Sequence, residues 1–321
     1  MQIQIAKKTD IQDIINFIKL KYKKKKHILT KKKKIFNFYF TKNKKVNFVI
    51  SKYKSTISGI LGYIKNDHWG VSCGKKDIWL GWWQVKKNVN GLLLIKYLID
   101  FFKPNLLVSY GVQNKKLRDY LFQNFSLDQF IINNNFFKIN RLNKKMALES
   151  IVYKKKLELI VSKKILNVSA IKNNYYPKKN YSYFKNKYEK NNLYNYFFLH
   201  FKIGSKIKTV FTCKIISNIK HKIFFIKVLD IYGKIPSVNF KNLIIQYLRQ
   251  KNIQHLDLQC HGINKNNIFN FGFKKNNIKI QNYFEPYKKI HSPHIVSLII
   301  NKYKKNLTFF AGDGDNERPR I

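Results

Sequence analysis

The order of strands and helices that hydrophobic patterning predicts occurs twice along this chain of 321 residues, and this repetition limits the folds open to it. Three antiparallel strands, a helix, a strand and a further helix follow one another in each half. The strands are predicted at 46–51, 57–64, 77–85 and 106–110, and again at 196–203, 209–217, 223–232 and 255–260. The pattern predicts an α/β (α+β) fold of two similar halves, each a mixed, mostly antiparallel sheet flanked by helices.

A change in composition separates the two series. Residues 140–195 are rich in lysine and tyrosine and show weaker periodicity than their surroundings. This segment is predicted to be a linker or crossover. The expected domains are therefore 1–139 and 196–321, with an acidic and arginine-containing tail at the end of the second.

The large positive charge is weaker evidence for a nucleic-acid partner than its size suggests. The chain has 64 lysines and arginines against 16 acids, a formal net charge of +48, yet only five of the 64 are arginine. Lysine, asparagine, isoleucine, phenylalanine and tyrosine all have A- and T-rich codons, so mutational drift explains their excess. No specific DNA partner is predicted, whereas anionic small molecules are expected to be attracted to the surface.

Cysteine usage and hydropathy indicate the compartment. Cys73, Cys213 and Cys260 are odd in number and widely separated, which fits neither a disulfide framework nor a zinc site. The first ten residues lack an apolar signal segment, and no apolar run approaches the roughly 18 residues of a membrane span. We expect a cytoplasmic protein without a membrane span or a bound metal.

Two segments contain residue types that need G- or C-rich codons, which mutational drift towards A and T tends to remove. All four tryptophans lie within 69–83, and the tail at 311–320 contains two of the five arginines and three of the 16 acids. Both segments are therefore expected to contribute to function.

The first half resembles the GNAT acyltransferase family in its element order and in local motifs. Trp82-Trp83-Gln84-Val85 stands where that family has a bulged strand, and a loop ending in Asn90-Gly91 precedes a helix. The resemblance implies an acyl-CoA, such as acetyl-CoA, bound by Gln84, Val85, Asn90 and Gly91. The family loop usually carries further glycines, and here Leu93 stands where one is usual.

A second motif of that family follows the next strand. Gly111-Val112-Gln113-Asn114 and then Tyr120 resemble its closing segment, although the spacing is one residue short and Asn124 replaces a glycine. The resemblance implies that Asn114 contacts the cofactor and that Tyr120 protonates the leaving thiolate. The alternative for Tyr120 is an ordinary core residue.

The second half and the tail are similar to proteins associated with surface-polysaccharide biosynthesis that have acyl-CoA N-acyltransferase-like domains. The similarity is most specific in Gly312-Asp313-Gly314-Asp315-Asn316-Glu317-Arg318-Pro319. Two GNAT-like halves also resemble the FemAB-type transferases, which move aminoacyl groups from tRNA. The resemblance implies N-acylation of an amino sugar, and tRNA-dependent transfer and an inactive GNAT-like binding module are the alternatives.

The polar residues of these segments supply the candidate site. Leu256 and Leu258 are predicted to face a core, while Asp257 and Gln259 project to the other side and His261 ends the strand. Asp77, Asp257 and Glu285 are candidate bases, and His261 is a base or a sugar ligand. The predicted substrate-binding residues are Trp83, Asp313, Asp315 and Arg318. The tail could instead act as a clasp between the halves.

Overall fold

The computed structural model describes most of the chain in 14 segments. These are residues 1–21, 28–43, 45–70, 73–110, 115–125, 128–131, 136–141, 156–166, 168, 171–173, 175–218, 223–275, 295–303 and 306–314. Within them the chain forms two large mixed sheets with helices packed against both.

Among the described residues, the first half supplies nine strands and five α-helices. The strands are β1 (Gln2–Ile5), β2 (Thr41–Lys42), β3 (Lys45–Val46), β4 (Phe48–Tyr53), β5 (Thr56–Lys65), β6 (Asp77–Val85), β7 (Leu106–Tyr110), β8 (Asp128–Ile131) and β9 (Phe136–Asn140). The helices are α1 (Ile11–Lys21), α2 (Ile28–Lys31), α3 (Lys33–Phe40), α4 (Leu92–Phe102) and α5 (Lys115–Asn124). Helix α4 ends where Lys103 adopts a left-handed conformation, just before Pro104.

The second half contributes eight strands and three helices among the described residues. The strands are β10 (Leu157–Ser162), β11 (Tyr196–Ile203), β12 (Lys206–Asn218), β13 (Ile223–Tyr232), β14 (His255–His261), β15 (Lys274–Lys275), β16 (Ile295–Asn301) and β17 (Phe309–Phe310). The helices are α6 (Tyr181–Phe184), α7 (Lys241–Gln250) and α8 (Lys265–Phe271). The expected linker at 140–195 thus contains β10 and α6, and β10 pairs with β11 along the edge of the second sheet.

The two sheets have equivalent strand orders. The first is β1-β4-β5-β6-β7-β16-β8, and the second is β10-β11-β12-β13-β14-β9-β15. In each, one parallel pair lies among antiparallel neighbours, formed by β6 with β7 and by β13 with β14. The predicted α/β (α+β) fold of two similar halves is confirmed.

The halves exchange one strand each, which the sequence does not predict. β16 comes from the second half but lies between β7 and β8 of the first sheet. β9 comes from the first half but lies between β14 and β15 of the second sheet. A cut at the expected boundary after residue 139 would fall within β9 and remove most of that strand from the sheet that it completes.

Three hydrophobic clusters stack the layers together. One lies between the first sheet and α4 and α5, and another lies between the second sheet and α7 and α8. The third joins the inner faces of both sheets with α1, α3 and α6; it includes Ile14, Phe36, Trp79, Tyr183, Phe198 and Phe309. Because apolar burial is shared across the halves, we expect them to unfold together.

Candidate functional site

The first sheet opens into a gap between β6 and β7. The parallel pairing of these strands ends at Leu80 and Ser109, whereas β6 continues to Val85 against β5 alone. An irregularity in the β5–β6 register coincides with the point where the strands part. The first four residues of β6 are buried and the last five are only partly buried, so this end of the strand lies at an accessible edge.

The backbone groups that point into the gap follow from the hydrogen-bond alternation of an antiparallel pair. The Lys86 N–H donates to the Ser58 carbonyl over 2.8 Å, and Val85 lies opposite Gly59 in the same register. Because residues alternate between facing the partner strand and facing away, the N–H and C=O groups of Trp83 and Val85 point away from β5 and into the gap. These are the groups that can bind an extended ligand arm or the oxygen of a thioester.

The loop after β6 packs closely against the splayed strand. A Cβ atom on Gly91 would lie 3.1 Å from Trp83 Nε1 and 3.2 Å from Val85 Cγ1, so a larger residue there would push the loop outward. Asn90 closes the turn, because its Oδ1 accepts a hydrogen bond from the Leu92 N–H over 3.0 Å. The predicted residues Trp83, Val85, Asn90 and Gly91 are thus brought together at the start of α4.

The Gln84 side chain lies on the opposite face of β6 from Trp83. Its Nε2 donates to the Phe17 carbonyl of α1 over 3.0 Å, and its Oε1 accepts from Trp82 Nε1 over 3.2 Å. These bonds hold the end of α1 against the gap. Gln84 therefore has an observed role in positioning α1, and its contact with a cofactor stays a prediction.

Asp77 lies at the far end of β6 from the gap. It is eight residues from Val85, which is about 26 Å along an extended strand. The Tyr303 hydroxyl donates to its Oδ1 over 2.5 Å, and burial raises the pKa of the Asp77 carboxyl despite that bond. The structure therefore does not bring Asp77 together with the residues of the gap.

Tyr120 lies on α5, on the outer side of the first sheet. Its side chain is partly buried and packs against the cluster beneath α4 and α5. Asn124 donates to the Tyr120 backbone carbonyl over 2.9 Å, one turn further along the helix. The structure places the phenol on the same side of the sheet as Trp83 and Val85, which pack against the same cluster.

The corresponding gap in the second sheet is filled. The parallel pairing of β13 and β14 ends at Val228 and Leu258, and β17 then pairs with β14 at Cys260 and His261. On the other side of the gap, the Gly312 N–H donates to the Leu229 carbonyl over 2.6 Å. The C-terminal segment 309–312 thus uses backbone groups of both diverging strands.

Asp313 holds this segment in place through a buried ion network. Lys179 contacts both Asp313 and Asp230, and its Nζ lies 2.8 Å from Asp230 Oδ1. Burial opposes the charge of Lys179, but the two carboxylates raise its pKa. Asp313 Oδ2 also accepts from the Phe310 N–H over 2.7 Å. Asp313 therefore has the contacts of a clasp, and its contact with substrate stays a prediction.

A second buried lysine reinforces the clasp from the other side. Lys187 donates to the carbonyls of Gly312 and Gly314, the latter over 3.1 Å. Its Nζ also lies 4.5 Å from the centre of the Trp69 ring. In a chain with this many lysines, composition gives no signal that Lys179 and Lys187 are buried, and sequence reasoning missed both.

His261 lies beside the filled gap. It pairs with Phe309 of β17, and the two rings are 6.3 Å apart. Partial burial lowers the pKa of the imidazole. The ring therefore contacts the C-terminal segment, and its role as a base or sugar ligand stays a prediction.

Asp257 occupies a buried polar position on β14. It lies opposite Lys227 of β13 and Lys138 of β9. Burial raises the pKa of Asp257 to about 6, although both lysines oppose the shift. Leu256 and Leu258 are buried against the α7 and α8 side, as the alternation predicts.

The pH dependence of stability should reveal this carboxyl. Because the folded pKa of about 6 exceeds the unfolded value of 3.8, Asp257 is protonated earlier in the folded chain as the pH falls. Above about pH 6 the buried carboxylate is charged and lowers the free energy of unfolding. Towards pH 4 it is protonated in the folded chain, and this destabilisation is lost. We expect the free energy of unfolding of the wild type, relative to Asp257→Asn, to rise by up to about 3 kcal/mol from pH 7 to pH 4.

Urea denaturation of both proteins at the two pH values measures this difference. The comparison cancels titration of groups elsewhere, while Lys138, Lys227 and Cys213 are the titratable neighbours of Asp257 among the described residues. If the two proteins differ in free energy of unfolding by the same amount at pH 7 and at pH 4, the raised pKa of Asp257 is contradicted.

Four predicted site residues lie outside the described residues. They are Asn114, Glu285, Asp315 and Arg318. Among the residues that the structure describes, no three His, Cys, Asp or Glu side chains come together as a metal site requires. In the same part of the chain, no helix is long and apolar enough to cross a membrane.

Comparison with known proteins identifies the fold. No protein-family model matches the sequence, and no curated protein matches it. A GCN5-related N-acetyltransferase from Anabaena variabilis ATCC 29413 superposes with a TM-score of 0.50 at 11% identity, over 94% of this chain and 73% of that one. A probable N-acyltransferase of unknown function from Enterococcus faecalis V583 also gives 0.50, at 7% identity over 94% and 72%.

A tandem GNAT protein from the clavulanic acid biosynthesis pathway is a further structural match. It covers 98% of this chain and 99% of its own length at 10% identity, with a TM-score of 0.46. The two matches with a TM-score of 0.50 show that the chain has a fold similar to that of a GCN5-related N-acetyltransferase. The more specific resemblance to polysaccharide-associated proteins, and that to FemAB-type transferases, stay predictions.

Proposed function

We propose that this chain is an N-acyltransferase that transfers an acyl group from acyl-CoA, such as acetyl-CoA, to a small amine acceptor. The proposed acceptor is an amino sugar, in nucleotide-linked form, used for surface-polysaccharide synthesis. The observation that carries the proposal is the gap between β6 and β7, into which the backbone groups of Trp83 and Val85 point.

The residues at the gap fit an acyl-CoA in two ways. Backbone groups along the accessible edge of β6 can pair with the amides of a pantetheine arm. Gly91 lets the following loop approach Trp83 and Val85 within van der Waals distance, which brings the start of α4 towards the same ligand. The N-terminus of a helix favours a diphosphate.

Acyl-CoA supplies a thioester whose carbonyl carbon accepts the amine. As the N–C bond forms, the Val85 N–H is proposed to stabilise the negative charge on the carbonyl oxygen. The amine gives up a proton through water, and the C–S bond breaks. The thiolate then takes a proton from the Tyr120 phenol or from water, which leaves an amide and a free thiol.

One observation favours a second candidate, an inactive GNAT-like binding module. The N–H groups of Leu92, Leu93 and Leu94 already donate within the turn and the first turn of α4. Fewer donors at this helix start therefore point towards a diphosphate than the family pattern implies. Such a module would neither bind acyl-CoA nor transfer an acyl group.

An acetyl-transfer assay separates the two candidates. The protein is incubated with acetyl-CoA and glucosamine, and free thiol and N-acetylglucosamine are both measured. We expect the two products in equal amounts, and none of either without protein. Absence of transfer to any amino sugar, including the nucleotide-linked forms, would overturn the enzyme, and absence of acetyl-CoA binding as well would support the module.

A further inference from the structure

Asp257 differs from the other buried acids that the structure describes. Four of them have hydrogen-bond or ion-pair partners: Asp10 with Lys52, Asp77 with Tyr303, and Asp230 and Asp313 with Lys179. The buried Oδ1 of Asp257 receives no hydrogen bond from any residue that the structure describes, although only 3% of the residue is exposed. A buried acceptor without a donor is costly, and the described part of the chain does not provide the donor.

A second acceptor lies beside it. Gln259 follows two residues later on the same face of β14, about 7 Å away, and is 1% exposed. Its buried Oε1 also receives no hydrogen bond from the described residues. One strand face thus presents a carboxylate and a carboxamide whose acceptor atoms require external donors.

The neighbouring charges restrict which donors fit. Lys227 and Lys138 lie opposite Asp257 on the two adjacent strands. Two lysines around one carboxylate disfavour a cationic ammonium through like-charge repulsion. Neutral hydroxyl groups provide donors without this repulsion, and carboxylates and carboxamides accept from them readily.

We propose that Asp257 and Gln259 bind hydroxyl groups of a carbohydrate, the acceptor substrate of the proposed acyl transfer. This inference rests on the proposed function for the identity of the substrate, but the binding itself does not. β17 fills the gap of the second sheet, which leaves the acyl donor to the first sheet. The first half would thereby bind the acyl donor, and the second half would bind the acceptor.

Steady-state kinetics with acetyl-CoA and glucosamine test the proposal. In Asp257→Asn we expect the KM for glucosamine to rise tenfold to a hundredfold, because the acceptor loses its negative charge and one of its two acceptor oxygens. The KM for acetyl-CoA should stay within about twofold. Gln259→Leu should raise the KM for glucosamine about tenfold. Asp10→Asn is the matched control, because it alters a buried acid at the start of α1 whose partner is Lys52.

Binding of glucose, which has no amine to acylate, provides a readout independent of transfer. Saturation-transfer NMR should detect millimolar binding of glucose to the wild type and to Asp10→Asn, and its loss in Asp257→Asn. Thermal melts check that each variant is folded. Glucose binding without acyl transfer to any amine would overturn the proposed function and support this inference. Unchanged kinetics in both β14 variants, or no glucose binding by the wild type, would overturn the inference.

Discussion

Replacing Lys179 by methionine is expected to lower the free energy of unfolding by about 3–5 kcal/mol, because removing one partner of a buried ion network leaves uncompensated charge. Lys179 is fully buried and contacts Asp230 and Asp313 at once. Its loss would leave two carboxylates in the shared core with Lys187 as the remaining cation of this network. Urea denaturation followed by tryptophan fluorescence measures the change.

Two comparisons make this result specific. Lys190→Met alters an exposed lysine in the same segment and should change stability by less than about 0.5 kcal/mol. Acidification should reduce the defect of Lys179→Met, since protonation removes the uncompensated charges. If Lys179→Met lowers the free energy of unfolding by less than about 1 kcal/mol at pH 7, the network does not hold the C-terminal segment in place.

Replacing Val85 by proline is expected to lower kcat/KM for acetyl transfer at least about a hundredfold. Proline removes the N–H that points into the gap, and loss of one oxyanion donor typically costs two to three orders of magnitude. The ladder with β5 keeps its bond at Lys86, because the Val85 N–H does not face that strand. The measurement is steady-state thiol release.

Val85→Ala is the matched control at the same position. It keeps the backbone N–H and loses only a partly buried side chain, so its kcat/KM should stay within about fivefold of wild type. A thermal melt confirms that the proline variant is folded. Equal activities of the alanine and proline variants would remove the Val85 amide from the mechanism.

The regular strands could be predicted because their patterns are local. The predicted bounds of β6, β7 and β13 equal those observed, since each is a hydrophobic run with clear stops. The alternation of β14 likewise predicts that Leu258 and Asp257 occupy opposite faces. The position of the gap-forming strand is implied by the family resemblance of Trp82-Trp83-Gln84-Val85.

The strand exchange could not be predicted, because hydrophobic patterning says which face of a strand is buried but not which sheet it joins. β9 and β16 would fit either sheet by their residues alone. β17 has only two residues, too few for a periodicity. Lys179 and Lys187 look like any other lysines in the sequence, and only the tertiary fold shows that they are buried.

The sequence leaves two hypotheses open for the tail, a substrate ligand and a clasp between the halves. Its retained acid Asp313 was a candidate substrate ligand or a clasp, and the observed contacts are those of a clasp. By filling the gap of the second sheet, the segment makes the halves unequal although their strand orders match. The accessible gap of the first sheet is therefore the proposed donor site.

Isothermal titration calorimetry of the full chain with acetyl-CoA tests this asymmetry most directly. We predict one acetyl-CoA bound per chain, because β17 occupies the gap of the second sheet while that of the first is accessible. A stoichiometry of two, or the absence of binding, would contradict the account.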